Sequence, residues 1–204
     1  MSVPMNKADP RVIRTRRLIQ DAFVFLSKEK DFDTITVRDI TERATINRAT
    51  FYAHYSDKYV LIESIISDSF MTFVSKRVSP QPMATEETMR SLILSVLDYC
   101  DSLCNSCKSG YKSFGPIAQI KVKELLQNII VSLLTNKVSS TDNEKLSIYL
   151  LATMISCSIC GAVYSMRKKY PLTVPANFTE EILHFIMAGG YGERCQDIKN
   201  YQIS

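Results

Sequence analysis

Residues 36–58 constrain the fold more than any other part of this chain, because they show the pattern of two short helices joined by a tight turn. Thr36 and Asp39 have the spacing of a capping box, which marks a helix start. Val37 and Ile40 then begin an apolar face with helical spacing. The polar residues that follow have the length of a turn between helices.

The second helix of this segment is predicted over residues 48–55, with Asn47 as its N-cap. Phe51 and Tyr55 are four positions apart and are expected to point into a core. The side chains on the other faces carry hydrogen-bonding groups, and a short exposed helix of this kind fits the major groove of DNA. The residues predicted to contact DNA here are Thr36, Arg38, Asn47, Arg48, Ala49, Thr50, Tyr52 and His54.

These residues resemble the TetR family of bacterial transcription regulators. The matching motifs are Thr-Val-Arg-Asp-Ile at residues 36–40 and Thr-Phe-Tyr-Ala-His-Tyr at residues 50–55. Thr45 stands where the family usually has Gly, and Tyr55 stands where it usually has Phe. Lys58 also matches the family, which implies that it binds a DNA phosphate. A cation in the first turn of a helix is unfavourable unless an anion is bound there.

Basic residues are concentrated just before this segment, although the net charge of the whole chain is only +4. The first 17 residues contain five basic side chains and a single acidic one, Asp9, which we expect to cap the first helix before Pro10. A basic arm beside a helix-turn-helix favours binding to phosphate groups. The five residues are Lys7, Arg11, Arg14, Arg16 and Arg17.

The rest of the chain predicts helices, and no stretch has the alternation of a strand. We therefore predict an all-α protein with two domains. Residues 9–60 form a three-helix head that contains the helix-turn-helix proper, residues 36–55. Residues 61–190 form a larger helical domain, for which the resemblance implies dimerisation and ligand binding. Its last helix is expected to be capped by Asn177.

The resemblance implies that the last two helices pair with those of a second protomer. Residues 146–166 carry no charge and could span a bilayer, but their serines and threonines make a membrane segment a poor alternative. The residues predicted at the dimer interface are Ser156, Cys157, Cys160, Gly161, Tyr164, Ile182, Phe185 and Ile186.

The resemblance further implies a pocket for a small hydrophobic ligand within the larger domain. The alternative is that the same apolar and aromatic residues fill a solid core. The residues predicted to line the pocket are Phe70, Phe73, Leu97, Cys100, Cys104, Tyr111, Phe114, Leu126 and Met154.

The cysteines do not form a convincing metal or catalytic pattern. Cys100, Cys104 and Cys107 have the spacing of an iron–sulfur motif, but they share an apolar helical stripe, where cysteine behaves as a small hydrophobe. Cys157 and Cys160 have no second pair with which to bind zinc. We therefore predict no catalytic site, metal or cofactor, and a thiol sensor at Cys107 stays open. The N-terminal segment lacks the apolar core of a signal peptide, which predicts a cytoplasmic protein.

Together these patterns predict a homodimeric DNA-binding regulator, and most simply a repressor that a ligand releases from a palindromic operator. The ligand would change the separation of the two recognition helices, which must lie about 34–36 Å apart on DNA. One alternative is a co-activator with the same fold that binds a protein partner instead of a ligand. Another is an enzyme that uses the cysteines.

Overall fold

The structure is a computed structural model, and it describes residues 9–106, 111–135, 142–170 and 176–188, without the side chains of residues 104–106 and 111–114. This described part contains eight α-helices, one 3-10 helix and no β-strand, which confirms the all-α prediction. The helices are α1 (Pro10–Glu29), α2 (Val37–Ala44), α3 (Arg48–His54), α4 (Lys58–Arg77), α5 (Glu86–Ser106), α6 (Tyr111–Thr135), α7 (Asp142–Lys169) and α8 (Phe178–Met187), and the 3-10 helix is Phe32–Thr34.

The chain divides into two compact units, with boundaries at residues 68/69, 101/102 and 118/119. We call the unit that contains α1, α2 and α3 the head, and the unit that contains α7 and α8 the second unit. The first boundary lies inside α4, later in the chain than the limit at residue 60 drawn from the sequence.

Side-chain caps start α1, α2 and α3, and each was predicted. The Asp9 carboxylate accepts a hydrogen bond from the backbone N–H of Arg11 at 2.8 Å. Thr36 and Asp39 form the complete capping box of α2. Asn47 Oδ1 accepts from the backbone N–H of Thr50 at 2.6 Å, at the start of α3. These bonds satisfy backbone donors that have no partner within the helix.

The turn between α2 and α3 contains a strained residue. Thr45 has φ 56° and ψ 46°, and among the described residues it is the single non-glycine with positive φ. A β-branched residue adopts this left-handed conformation at a steric cost. The next N–H, that of Ile46, donates to the Thr41 carbonyl at 3.0 Å and closes the turn.

The second unit is built from longer helices around an apolar core. Tyr99 is central to it, since its ring packs edge-on against Phe70 and Phe73, with centroids 5.6 and 5.9 Å apart. α7 contributes one buried stripe, and its opposite face is exposed. The stripe consists of Ala152, Ile155, Ser156, Ile159, Cys160 and Val163. Arg90 on α5 forms an ion pair with Glu180 on α8.

Candidate nucleic-acid interface

Helix α3 packs into the head through Phe51, which is fully buried. Its other faces expose Arg48, Ala49 and Tyr52, the last with 55% of its surface accessible. The structure also exposes Ala53, which was not among the predicted contacts. α3 therefore presents a cationic and aromatic surface supported by a rigid core.

Two of the predicted contacts, Thr36 and Asn47, serve first as helix caps, and a third, Thr50, donates to one of them. Asn47 Oδ1 accepts from both the backbone N–H and the hydroxyl of Thr50, the latter at 2.9 Å. The Thr36 hydroxyl accepts from the Asp39 N–H at 3.1 Å and donates to the Asp39 carboxylate at 2.7 Å. That hydroxyl donation is the largest of the interactions that lower the pKa of Asp39 to about 2. These side chains fix the ends of α2 and α3, so only their remaining atoms are available to DNA.

Arg38 lies on the exposed face of α2. Its Nε donates to Glu42 at 2.7 Å, an interaction that raises the pKa of the guanidinium. Both side chains are largely exposed, at 71% and 63%. An exposed pair of this kind stabilises a helix only slightly, so a phosphate could replace Glu42 as the partner of Arg38.

His54 is half-buried, and its Nδ1 is buried without a hydrogen-bond partner. Burial, followed by the nearby charge of Arg16, lowers the pKa of His54, so the ring is neutral at neutral pH. Arg16 is itself engaged within the head. It donates to Ser64 Oγ at 2.9 Å, and its guanidinium lies 5.5 Å from the Tyr55 ring centroid.

The basic residues of α1 separate into two groups. Arg11, Arg14 and Arg17 are exposed, whereas Arg16 makes the internal contacts just described. Lys7 lies outside the described residues. Arg43, at the end of α2, is an exposed cation that the sequence argument did not select, and its guanidinium stacks on the Phe25 ring at 3.6 Å.

The structure gives Lys58 a different environment from the one expected. Its ammonium donates to the backbone carbonyls of Phe32, Asp33 and Ile35, at 2.9, 3.1 and 3.0 Å. An ammonium has three N–H donors, and here each has an acceptor within the head. The expectation of a phosphate contact is therefore corrected, because the charge points into the loop before α2.

The predicted dimer surface is corrected at three positions. Ser156, Cys160 and Ile182 are at most 7% exposed, so they belong to the core of the second unit. Tyr164 and Ile186 are half-buried. The exposed members of the set are Cys157, Gly161 and Phe185, and the same side of α7 exposes two residues that were not selected for it, Leu150 and Met154.

The predicted ligand pocket is filled by its own side chains. Phe70, Leu97, Cys100 and Leu126 are buried, and Phe73 is half-buried. Met154 is corrected, since 67% of its surface is exposed. Cys104, Tyr111 and Phe114 lie outside the described side chains.

One depression in the second unit has a volume of about 900 Å³. It involves none of the residues predicted for the pocket. Its walls are Met71, residues 80–84 and the outer side of α6, including Leu125 and Ile129.

A head of this kind, with a capped two-helix motif and an exposed second helix, defines a helix-turn-helix protein. Residues 21–65 match the model of the tetR family of bacterial regulatory proteins. This part of the head, residues 21–65, is thus a TetR-type helix-turn-helix region.

Curated relatives resemble the chain only in part. It is 36% identical over 93 residues to an uncharacterised HTH-type transcriptional regulator, YxbF of Bacillus subtilis, covering 44% of this chain and 24% of that protein. It is 38% identical over 73 residues to a second uncharacterised HTH-type regulator of the same organism, YdeS, covering 36% of this chain and 35% of that protein. The matches thus span about a quarter and a third of the lengths of these relatives.

Solved structures resemble the fold over most of the chain. A TetR transcriptional regulator from Streptococcus agalactiae aligns with a TM-score of 0.55 at 20% identity, covering 90% of this chain and 97% of that one. TylP, a TetR regulator from Streptomyces fradiae, aligns with a TM-score of 0.54 at 14% identity, covering 87% of both chains. Identities this low show the shared fold alone.

Proposed function

We propose that this chain is a DNA-binding transcriptional regulator that acts as a homodimer on a palindromic operator, as a repressor that a small hydrophobic ligand releases. The observation that carries the DNA-binding part is the exposed face of α3. Arg48 and Tyr52 are exposed on a short helix that the buried Phe51 anchors in the head. Exposed donors on a rigid short helix suit contact with base edges.

Charge around α3 supports the same proposal. Arg11, Arg14 and Arg17 are exposed on α1, and Arg38 is exposed on α2. Such cations bind phosphates without distinguishing sequences, so they supply affinity and orientation while α3 supplies discrimination. The negative charge of the nearby Glu42 opposes the attraction between Arg38 and a DNA phosphate. Arg38 therefore contacts the phosphate only by giving up its ion pair with Glu42.

The exposed apolar side of α7 supports self-association. Leu150 and Met154 are 53% and 67% exposed, and Gly161 further along has open space around its Cβ position. α7 is long and apolar enough to cross a membrane, yet its other side carries the buried stripe of the second unit. A protein interface accounts for both faces, and a two-fold dimer suits a palindromic operator.

The ligand part of the proposal rests on the second unit. The depression walled by Met71, residues 80–84 and α6 has a volume suitable for a drug-sized molecule, and its lining is mainly apolar. A co-activator would instead bind a protein partner. A small molecule that releases the protein from its operator would exclude that alternative.

The cysteines in the described part of the chain support a thiol sensor less well than the other observations support a ligand-released regulator. Burial is the main cause that raises the pKa of Cys160 to about 12, so its thiol is not ionised at neutral pH. Cys157 is exposed, and Cys100 is buried. Cys107, the candidate from the sequence, lies outside the described residues.

The DNA-binding proposal can be tested with two arginine variants and a charge-matched control. We expect Arg48→Ala and Arg38→Ala each to weaken operator binding about tenfold, because a well-placed arginine contact provides about 1–3 kcal/mol. Lys28→Ala removes an exposed cation at the end of α1 and should change affinity little. The operator would be selected from random duplexes and affinities measured by fluorescence anisotropy. Failure to select any sequence, or unchanged affinity in both arginine variants, would contradict the proposal.

A further inference from the structure

Lys58 is the first residue of α4, and its side chain turns back towards the 3-10 helix Phe32–Thr34. Its three hydrogen bonds to backbone carbonyls link residues that are 23 to 26 positions apart in the chain. The ammonium also lies 4.6 Å from the Phe32 ring centroid. It is therefore held by three carbonyl oxygens and one aromatic face.

The acceptors are carbonyls at and just beyond the 3-10 helix. The Phe32 carbonyl also accepts from the backbone N–H of Ile35 at 3.2 Å, and its second lone pair is free for the ammonium. Carbonyls at a helix end carry a partial negative charge, so a cation there is stabilising. Phe32 is only 1% exposed and packs edge-on against Phe23 of α1, with centroids 6.0 Å apart. Lys58 thereby connects α4 to a loop that α1 also holds.

The last of these carbonyls immediately precedes the start of α2. Ile35 is followed by Thr36, the N-cap of α2, whose capping box includes Asp39. Asp39 is also paired with Lys30 at 3.0 Å. The position of this loop thus sets where α2 begins, and the turn after α2 sets the position of α3.

We infer that Lys58 is a positioning residue for DNA binding, which holds the loop before α2 against α4 and so places α2 and α3. This inference rests on the proposed function. It differs from a phosphate contact in two measurable ways. A positioning residue affects operator more than unrelated DNA, whereas a phosphate contact affects both equally. A phosphate contact also adds about one to the slope of log affinity against log salt concentration.

Two variants of Lys58 separate these roles. Lys58→Met removes the charge and keeps most of the length. Lys58→Arg keeps the charge but offers a planar fork, which suits a phosphate and does not match three converging carbonyls. We expect both variants to lose about tenfold or more in operator affinity, to keep their affinity for unrelated duplex, and to keep the wild-type salt slope. Lys28→Met is the control, and circular dichroism confirms folding at the temperature used.

The inference is overturned if Lys58→Arg binds like wild type while Lys58→Met loses affinity for both duplexes and its salt slope falls by about one. Should the variants fail to fold, the wild-type protein still decides the question. We expect nuclear magnetic resonance to show a slowly exchanging Lys58 ammonium signal in the absence of DNA. Addition of operator DNA should leave the chemical shift of this signal unchanged. A signal that appears only with DNA would overturn the inference. Failure of wild type to prefer any operator would instead count against the proposed function.

Discussion

The head and the second unit obtain their order from different interactions. α2 has 8 residues and α3 has 7, lengths at which a helix is not stable alone. Side-chain caps and the Lys58 contacts compensate for this. α7 has 28 residues and is held by a stripe of buried side chains. The short helices of the head therefore depend on a few directional hydrogen bonds, whereas the second unit depends on which helical faces turn inward.

The largest expected effect tests the role of the second unit in assembly. A Cβ built at Gly161 meets nothing within 4 Å, so Gly161→Arg should leave the protomer folded. We expect the variant to be monomeric by analytical ultracentrifugation at micromolar concentration, where wild type is dimeric. Operator affinity should then fall about a hundredfold or more, because two linked heads bind far more tightly than one.

Ser75→Arg places the same side chain on an exposed position of α4 and serves as the control for this experiment. It should remain dimeric. A wild-type protein that is already monomeric, or a Gly161→Arg variant that still dimerises, would remove α7 from the interface and weaken the contrast between the two units.

The difference between the units also explains what sequence analysis could predict. The caps of α1, α2 and α3 were predicted because each depends on residues within a few positions of one another. Phe51 and Tyr55 were placed inward for the same reason. Thr45 stands where the resembled family usually has a glycine, and its φ of 56° is one that glycine adopts easily.

The failures have a common physical origin. Ser156 and Cys160 were assigned to the dimer surface because small residues suit close helix packing, but periodicity does not reveal whether a small residue faces its own protomer or another. Lys58 was assigned to phosphate from the family resemblance and from its place in the first turn of a helix. Its three carbonyl acceptors lie more than 20 positions away in sequence, so no local pattern indicates them. Long-range contacts of this kind are set by tertiary structure.

A matched pair of asparagines sharpens the comparison at an intermediate magnitude. Asn47 caps α3 in the head, whereas Asn177 at the start of α8 makes no capping bond, contrary to expectation, and donates to Glu181 at 3.1 Å instead. We expect Asn47→Ala to lower the free energy of unfolding by about 1 kcal/mol. Asn177→Ala should lower it by only a few tenths of a kcal/mol, as an exposed surface substitution does.

Urea denaturation followed by circular dichroism measures both asparagine variants under the same conditions. Equal losses, or a larger loss for Asn177→Ala, would show that directional caps do not distinguish the head from the second unit.

The smallest effect concerns strain, which among the described residues is localised at the turn in the head. Thr45 adopts φ 56° and is exposed, so replacing it removes little packing. Left-handed backbone costs an L-residue about 1–2 kcal/mol, while glycine loses about 0.5–1 kcal/mol more through the flexibility of the unfolded chain. We therefore expect Thr45→Gly to raise the free energy of unfolding by about 0.5–1 kcal/mol.

Ala53→Gly, at an exposed helical position of α3, is the control and should lower the free energy of unfolding by about the same amount. If both variants destabilise the head equally, Thr45 is not strained, and its side chain must stabilise the turn.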